Sequence, residues 1–491
     1  MKMRNKVIIV GGGISGLATA HRFCELQRGG SRPLEITILE AKPRLGGVIE
    51  TWNKDGFLME GGPDSFISEK PAAQELSARL GIASEILDTN DKLRRSFIYK
   101  KGKLIAVPEG FYLIAPSQIR AFLMTPLLGL MTKLRMGCEL FIPRRKTLGD
   151  ESVAGFVRRR FGETLLKQVA QPMIGGIYTA DPEHLSLGAT MPQFQELERR
   201  YGSVIRGLLS RRKQRSKHAA QTASGPRYSL FLSFRGGMET LTRAVRDHLP
   251  GVRVKISSEV TEIHRESGGW NVTTRSGEFF EADALCLALT AHHAVPLLSG
   301  VAPELSRELQ GIPYESVATV NLAYHRADIP HPLNGFGFVV PAFAQRRIVA
   351  CSFSSVKFHG RAPEGKVLLR AFVGGALHRE VYALDDQAME QAVREELRHY
   401  LGVEKAPFFS FVRRYPHTMP QYQVGHTELV NKIRGKLAAF PGLYLAGNAY
   451  RGIGVPDCVK WAETTAESMH QFFEKGNSPF KDVRETVPFK D

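Results

Sequence analysis

The chain is 491 residues long and 43% hydrophobic, and Lys plus Arg outnumber Asp plus Glu by 66 to 49, a net charge of +17. That apolar share suits one large or two to three smaller packed cores; the charge, where it exceeds what solubility asks, favours anionic ligands or anionic lipid head groups, and nucleic acid is set aside because no zinc knuckle, RNP-like aromatic stretch or basic recognition helix occurs. Five isolated cysteines, Cys24, Cys138, Cys286, Cys351 and Cys458, with no C-x-x-C pair, argue against a disulfide framework or zinc site and fit a reducing compartment.

The first element is VIIVGGGISG at residues 7–16. Its apolar run is too short for a signal sequence and is stopped by glycines, so a first β-strand is expected. No transit-like stretch precedes it, and no organelle import is expected. LATAHRFCEL continues with a helical pattern, and Leu34–Leu39 is a second strand ending at Glu40. Together these make a βαβ unit. Gly11, Gly13 and Gly16 fit G-x-G-x-x-G between strand and helix. The first permits a tight turn, the second lets a pyrophosphate approach the backbone, and the third lets helix and strand pack closely. Glu40 follows Gly16 by 24 residues. A carboxylate there accepts hydrogen bonds from a ribose 2′-hydroxyl and repels a 2′-phosphate. In AKPRLGGVIETW, Arg44 can neutralise phosphate charge, and Gly46–Gly47 allow a second close approach.

Residues 111–145 are strongly apolar but carry Arg120, Lys133 and Arg135 and are interrupted at Pro126. No uninterrupted run reaches the ~18–20 residues of a spanning helix. The segment is either a pair of core helices or an amphipathic surface lying in a membrane interface. Residues 210–225, SRRKQRSKHAAQTASG, are basic and polar and are expected to be a mobile surface loop without chemistry. Residues 250–290 alternate in short strands with glycine turns, which predicts antiparallel hairpins returning to a buried strand. From Pro303 to Tyr422 strand and helix mix, and GLYLAGNAYRGIGVPDC onward reads as strand, glycine-rich loop and long helix. His292 and His293 are expected to point apart on a strand, which argues against a shared metal. No metal-ligand cluster, acid–base dyad or nucleophile arrangement emerges.

The R-x-G-G continuation resembles the signature of FAD enzymes of the amine-oxidase-like superfamily. MEGGPDSFISEKP, PMIGGIYTADPEHLS, FRGGMETLTRAV, PHTMPQYQVGH and LAGNAYRGIGVPDC, in this order along almost the whole chain, further resemble the protoporphyrinogen oxidase family. The segment after the last strand argues against amine oxidases, because Gly447 is followed by Asn448 rather than Glu. The resemblance implies non-covalent FAD and oxidation of protoporphyrinogen IX to protoporphyrin IX by hydride transfer to the flavin, with O2 as acceptor. A close branch acts on coproporphyrinogen III. Other flavin oxidases of the superfamily and a flavin-binding membrane adapter are the rival readings.

The implied fold is α/β: a Rossmann-like FAD-binding domain (1–92, 210–300 and 432–475), a mostly helical membrane-associating domain (93–209) and a mixed α+β substrate domain (301–431). Carried over by position, the FAD contacts are Gly11, Gly12, Gly13, Ile14, Ser15, Gly16, Glu40, Ala41, Arg44, Gly46, Gly47 and Val48. Gly62, Pro63, Asp64, Ser65, Val260, Tyr415, Gly447, Ile453, Gly454 and Val455 complete the set, with Tyr415 where relatives often have Trp. Gly176, Val339, Ser352 and Phe372 are the implied lining of an apolar substrate slot. A macrocycle with propionates also needs a cation. The family often carries one directly before the aromatic of an R-[FY]-[IL]-Y stretch, where this chain has Ser96, with Arg95 one residue earlier. Either Arg95 reaches the slot through a bulge, or another cation serves. The implied setting is cytoplasmic, with monotopic attachment to the inner face of the cell membrane; a homodimer is left open.

Overall fold

The computed structural model describes residues 5–27, 34–108, 111–112, 114–116, 118–146, 149–221, 230–266 and 269–474. The strand β1 (Asn5–Val10), the helix α1 (Ile14–Gln27) and the strand β2 (Leu34–Leu39) form at the start of the chain. Val7 to Val10 are buried without alternation, as in a parallel strand covered on both faces. The parallel sheet runs in the order Arg253–Lys255, β2, β1, Ala284–Leu287, Leu443–Leu445. On one side α1 packs between this sheet and the Val455–Glu474 helix, where Leu17, Phe23, Ala462, Ala466 and Met469 share one core.

The expected hairpins are present: Val260–Glu266, Gly269–Thr274 and Phe279–Ala282 pair antiparallel and lead into the buried strand Ala284–Leu287. A second sheet has seven strands, in the order Phe409–Pro420, Tyr314–His325, Lys366–Gly374, Ala350–Ser352, Gly337–Val339, Phe97–Lys100, Lys103–Ala106. Partners across a ladder share a face. One face buries Val320, Leu369, Ala371, Phe338 and Phe97 with Met389, Val393 and Leu397 of the Asp386–Leu401 helix. The other carries Thr319, Arg370, Phe372, Ser352, Val339 and Ile98, linked by the pairs Thr319↔Phe372, Ser352↔Arg370, Ala350↔Phe372, Val339↔Ala350 and Val339↔Ile98.

A helical part packs over this face around Phe122, Phe156, Phe161, Ile174, Phe194 and Leu197. At its centre Arg160 is fully buried, with Glu139 at 3.3 Å and Glu198 at 2.7 Å to balance its charge. Pro126 separates the helices Ile119–Met124 and Leu130–Gly137, and no described helix is long and apolar enough to cross a membrane.

Two sequence expectations fail here. Val204–Gln221 is one continuous helix, not the start of a loop; residues 222–225 of the expected loop lie outside the described residues. Arg, Lys, Gln and Ala are strong helix formers, and they extend a turn already anchored by buried Val204, Ile205 and Leu208. His292 and His293 lie on the helix Ala291–Leu298, not on a strand, and their rings meet at 4.2 Å, with His292 edge-on to Tyr314.

Candidate cofactor and substrate site

At the end of β1, the Gly11 N–H donates to the Leu39 carbonyl at 2.8 Å. A Cβ on Gly16 would stand 1.9 Å from the Gly11 carbonyl oxygen, so only glycine lets α1 approach this close. Ile14 and Ser15 begin α1, whose amino end faces the loop. The Glu40 carboxylate is buried and accepts the Gly12 N–H at 2.6 Å and the Lys42 N–H at 2.8 Å. Its remaining lone pairs are the acceptors a ribose needs. Beside Glu40 and Ala41 runs the 255–260 segment: Ser258 N–H donates to the Glu40 carbonyl, and Val260 opens the next strand.

The second glycine pair lies on the first loop. Gly46 N–H donates to the Gly12 carbonyl at 2.9 Å, and Gly13 and Gly46 form a bridge. Arg44 is spent on its own loop: it donates to the Gly47 carbonyl at 2.8 Å and to the Leu45 and Ile49 carbonyls at 3.1 Å, and Glu50 lies 3.3 Å from its Nε. It builds the second glycine turn. Val48 is exposed, and its carbonyl oxygen would touch a Cβ on Gly62 at 1.9 Å.

That contact seats the Gly62–Ser65 turn. Arg370, 2% exposed, donates to the Gly61 carbonyl at 2.8 Å and to the Gly62 carbonyl. Asp64 accepts from Lys357 at 3.0 Å and from the Ser65 hydroxyl at 2.7 Å. Burial alone would raise the Asp64 carboxyl; Lys357 and then Arg370 outweigh it and hold it below the usual range. Tyr415 faces the turn: its phenol oxygen is 2.9 Å from where a Gly61 Cβ would be, is buried without a partner, and is pushed up to about 12 by burial.

Glu60, just before the turn, is buried and accepts the Met238 N–H at 2.9 Å and the Thr51 hydroxyl at 2.8 Å. Burial pushes its carboxyl up to about 7. Between the unfolded value of about 4.3 and that folded value, the native chain keeps a proton that the unfolded chain has lost, so stability falls as pH rises through this window. Urea unfolding between pH 5 and 8 is expected to show a loss of about 3 kcal/mol that Glu60→Gln lacks; parallel curves for the two proteins would refute the assignment.

The third wall is the loop after Leu443–Leu445. Gly447 lies against the Leu289 carbonyl, Ile453 packs on the helical core, and Gly454 and buried Val455 start the long helix. The glycine cradle and the orphaned Tyr415 hydroxyl fit a bound FAD.

The slot residues meet as the period of two requires. Val339, Ser352 and Phe372 share one sheet face, each partly exposed, and Gly176 on the Gln171–Tyr178 helix faces Val339, whose Cγ1 would lie 3.2 Å from a Gly176 Cβ. Arg95 is the exception. It is exposed and stands on the side of Phe97, its Cγ 3.1 Å from where a Gly335 Cβ would be, while Ser96 shares the side of Ile98. The chain stays in register there, with Phe336 N–H donating to the Arg95 carbonyl, so no bulge turns Arg95 to the slot. Sequence reasoning missed Arg370, which sits on the slot face with its guanidinium 5.0 Å from the Phe372 ring. A lone charge inside the apolar run LLRAFVGG was the available signal.

The sequence model of the family described as Flavin containing amine oxidoreductase matches residues 14–470. The coproporphyrinogen III oxidase of Bacillus subtilis (strain 168) is 33% identical over 93% of this chain and 96% of its own. The chloroplastic protoporphyrinogen oxidase 1 of Arabidopsis thaliana is 29% identical over 95% of this chain and 88% of its own. A crystal structure from Exiguobacterium sp. 255-15, provisionally described as a protoporphyrinogen oxidase, superposes with a TM-score of 0.82 at 30% identity, covering 96% of this chain and 99% of that one. The chain therefore belongs to the family of flavin containing amine oxidoreductases, in its porphyrinogen-oxidase branch, and is an FAD-dependent oxidoreductase.

Proposed function

We propose that this chain oxidises coproporphyrinogen III to coproporphyrin III, six electrons passing to three O2 to give three H2O2. The observation that carries the reading is the apolar slot face, Val339, Ser352 and Phe372 opposite Gly176, built against the FAD cradle. When bound, FAD supplies two-electron hydride acceptance from a meso carbon and reoxidation by O2. The chain itself binds and orients. Phe372 offers a stacking plane, Gly176 leaves clearance, and the packed helical part excludes water. Pyrrole N–H protons leave to solvent, so no side-chain base is required.

The sequence alone favours protoporphyrinogen IX. The higher identity to the Bacillus subtilis enzyme than to the chloroplast one supports coproporphyrinogen III instead. Rates on the two porphyrinogens, measured side by side, are expected to favour coproporphyrinogen III by about tenfold or more, which is ~1.4 kcal/mol of transition-state discrimination. A faster rate on protoporphyrinogen IX overturns the substrate, and turnover of neither overturns the function.

The proposal extends to the setting. Leu123, Met124, Leu130, Met131, Leu134 and Phe141 are each at least 57% exposed. Lys133 donates to the Leu123 and Thr125 carbonyls at 2.7 and 2.8 Å, and Lys100 to the Leu127 carbonyl at 2.6 Å. The two ammoniums fix the turn that presents this apolar face within a basic surface. Such a face seats at the surface of an anionic bilayer, on the cytoplasmic side. Sedimentation with anionic vesicles at low salt is expected for the native chain and not for Leu130→Glu/Met131→Glu; a native chain that stays in the supernatant refutes it.

A further inference from the structure

The PHTMPQYQVGH stretch has no role in the account above, yet its tyrosine stands where three parts of the molecule meet. Tyr422 is 2% exposed and belongs to the helical core, against which Ile453 also packs. Its backbone is stitched to the segment that follows the Gly176 helix. Ser186 N–H donates to the Tyr422 carbonyl at 2.7 Å, and Val424 N–H to the His184 carbonyl at 2.9 Å. Gly425 N–H donates at 3.0 Å to the Asp150 carboxylate, which also receives the Ser186 hydroxyl at 2.6 Å.

The phenol points the other way. Its oxygen accepts the Gly452 N–H at 2.8 Å and donates to the Asn448 carbonyl at 2.5 Å. One oxygen thus closes both ends of the 448–452 loop, directly before Ile453, Gly454 and Val455. The ring lies flat on His426, with centroids 3.9 Å apart and planes at 12°. Burial pushes the phenol well above its usual range, so its proton stays available to Asn448. Asn448 is held from the far side as well, its side-chain amide donating to the Thr418 carbonyl at 3.2 Å.

We propose that Tyr422 is a positioning residue whose phenol, stacked on His426, sets the place of the flavin-side loop 448–455 relative to the substrate-side Gly176 helix. A core tyrosine that only filled space would lose little on conversion to Phe. Loss of a pin that joins two backbone groups of one loop would release that loop. The two roles separate on local readouts.

The test uses Tyr422→Phe in the full chain. Expected are amide hydrogen exchange across residues 449–453 faster by about tenfold, FAD binding weakened by a similar factor, and a visible flavin band that loses its vibrational shoulder. Turnover should fall in kcat with KM nearly unchanged, because a displaced loop misaligns the reacting groups without changing the slot. His426→Ala, which removes the stack together with the imidazole's hydrogen bonds to the Ala449 and Tyr450 backbone, is expected to move the same exchange and spectrum in the same direction, and His426→Phe, which keeps the stack alone, to restore them in part. If Tyr422→Phe does not fold, the two His426 variants are read in its place. Native exchange and an unaltered flavin band in Tyr422→Phe, or in His426→Ala should that be the protein available, overturn the proposal whatever the activity does.

Discussion

Gly16→Ala is expected to purify colourless and to stay so when FAD is added. The new methyl group would stand 1.9 Å from the Gly11 carbonyl oxygen, 3.1 Å from the Gly11 carbonyl carbon and 3.3 Å from Ala288 Cβ. The first two contacts are with backbone, so no side chain can turn aside. Helix α1 would have to withdraw from β1, and it is wedged against the Val455–Glu474 helix through Phe23 and Phe473, whose rings meet edge to face at 6.2 Å. Overpacking of this kind costs about 1–3 kcal/mol of stability. Cofactor binding suffers more, because the same shift removes the Gly12–Glu40 contact and the amino end of α1 from the phosphates at once. Loss of about a hundredfold or more in FAD affinity is expected, equivalent to ~2.7 kcal/mol, read by the 450 nm absorbance per chain and by fluorescence titration. Full occupancy in this variant would mean that the cofactor lies elsewhere.

Lys357→Met is expected to be strongly destabilising. The ammonium is 3.0 Å from the Asp64 carboxylate, and the two side chains are 12% and 18% exposed. Removing one partner of a buried pair costs about 3–5 kcal/mol when the other charge is left unpaired; here Arg370 and the Ser65 hydroxyl still face Asp64, so a loss of about 3 kcal/mol is expected. The Lys357→Met/Asp64→Asn double variant should recover most of that loss. The native pair also sets an acid limit. Asp64 has its carboxyl held below the usual range, so its stabilising contribution is complete above the unfolded value of about 3.9 and is lost as pH falls through the lower folded value. Additive effects of the two substitutions in urea unfolding would show that the residues do not act as a pair.

What the sequence revealed and what it hid follow one division. β1, α1, β2 and Glu40 were legible because a short apolar run, three spaced glycines and an acid are local signals. The slot residues Val339, Ser352 and Phe372 came from the family resemblance and converge because strand partners share a face. Arg95 failed for the same reason: a shift of one residue exchanges the faces, and nothing in the ladder absorbs it. The Val204–Gln221 helix was hidden because polar content was read without helix propensity. Lys357 was illegible in principle, since its partner Asp64 lies 293 residues away. Tyr422 was quoted only for resemblance, because the two groups it joins belong to a loop that begins 26 residues later.

The parallel sheet beneath the glycine cradle takes its strands from residue 5 through to residue 445, and Thr19 of α1 donates to the Ala462 carbonyl at 3.4 Å. A ribosome must therefore finish nearly the whole polypeptide before the first glycine turn has its outer wall. Until then the early apolar segments wait without their final cover, exposed to off-pathway association. Prematurely terminated products should accumulate as prosthetic-group-free, protease-sensitive fragments, and vitamin supply during expression should govern how much mature material survives.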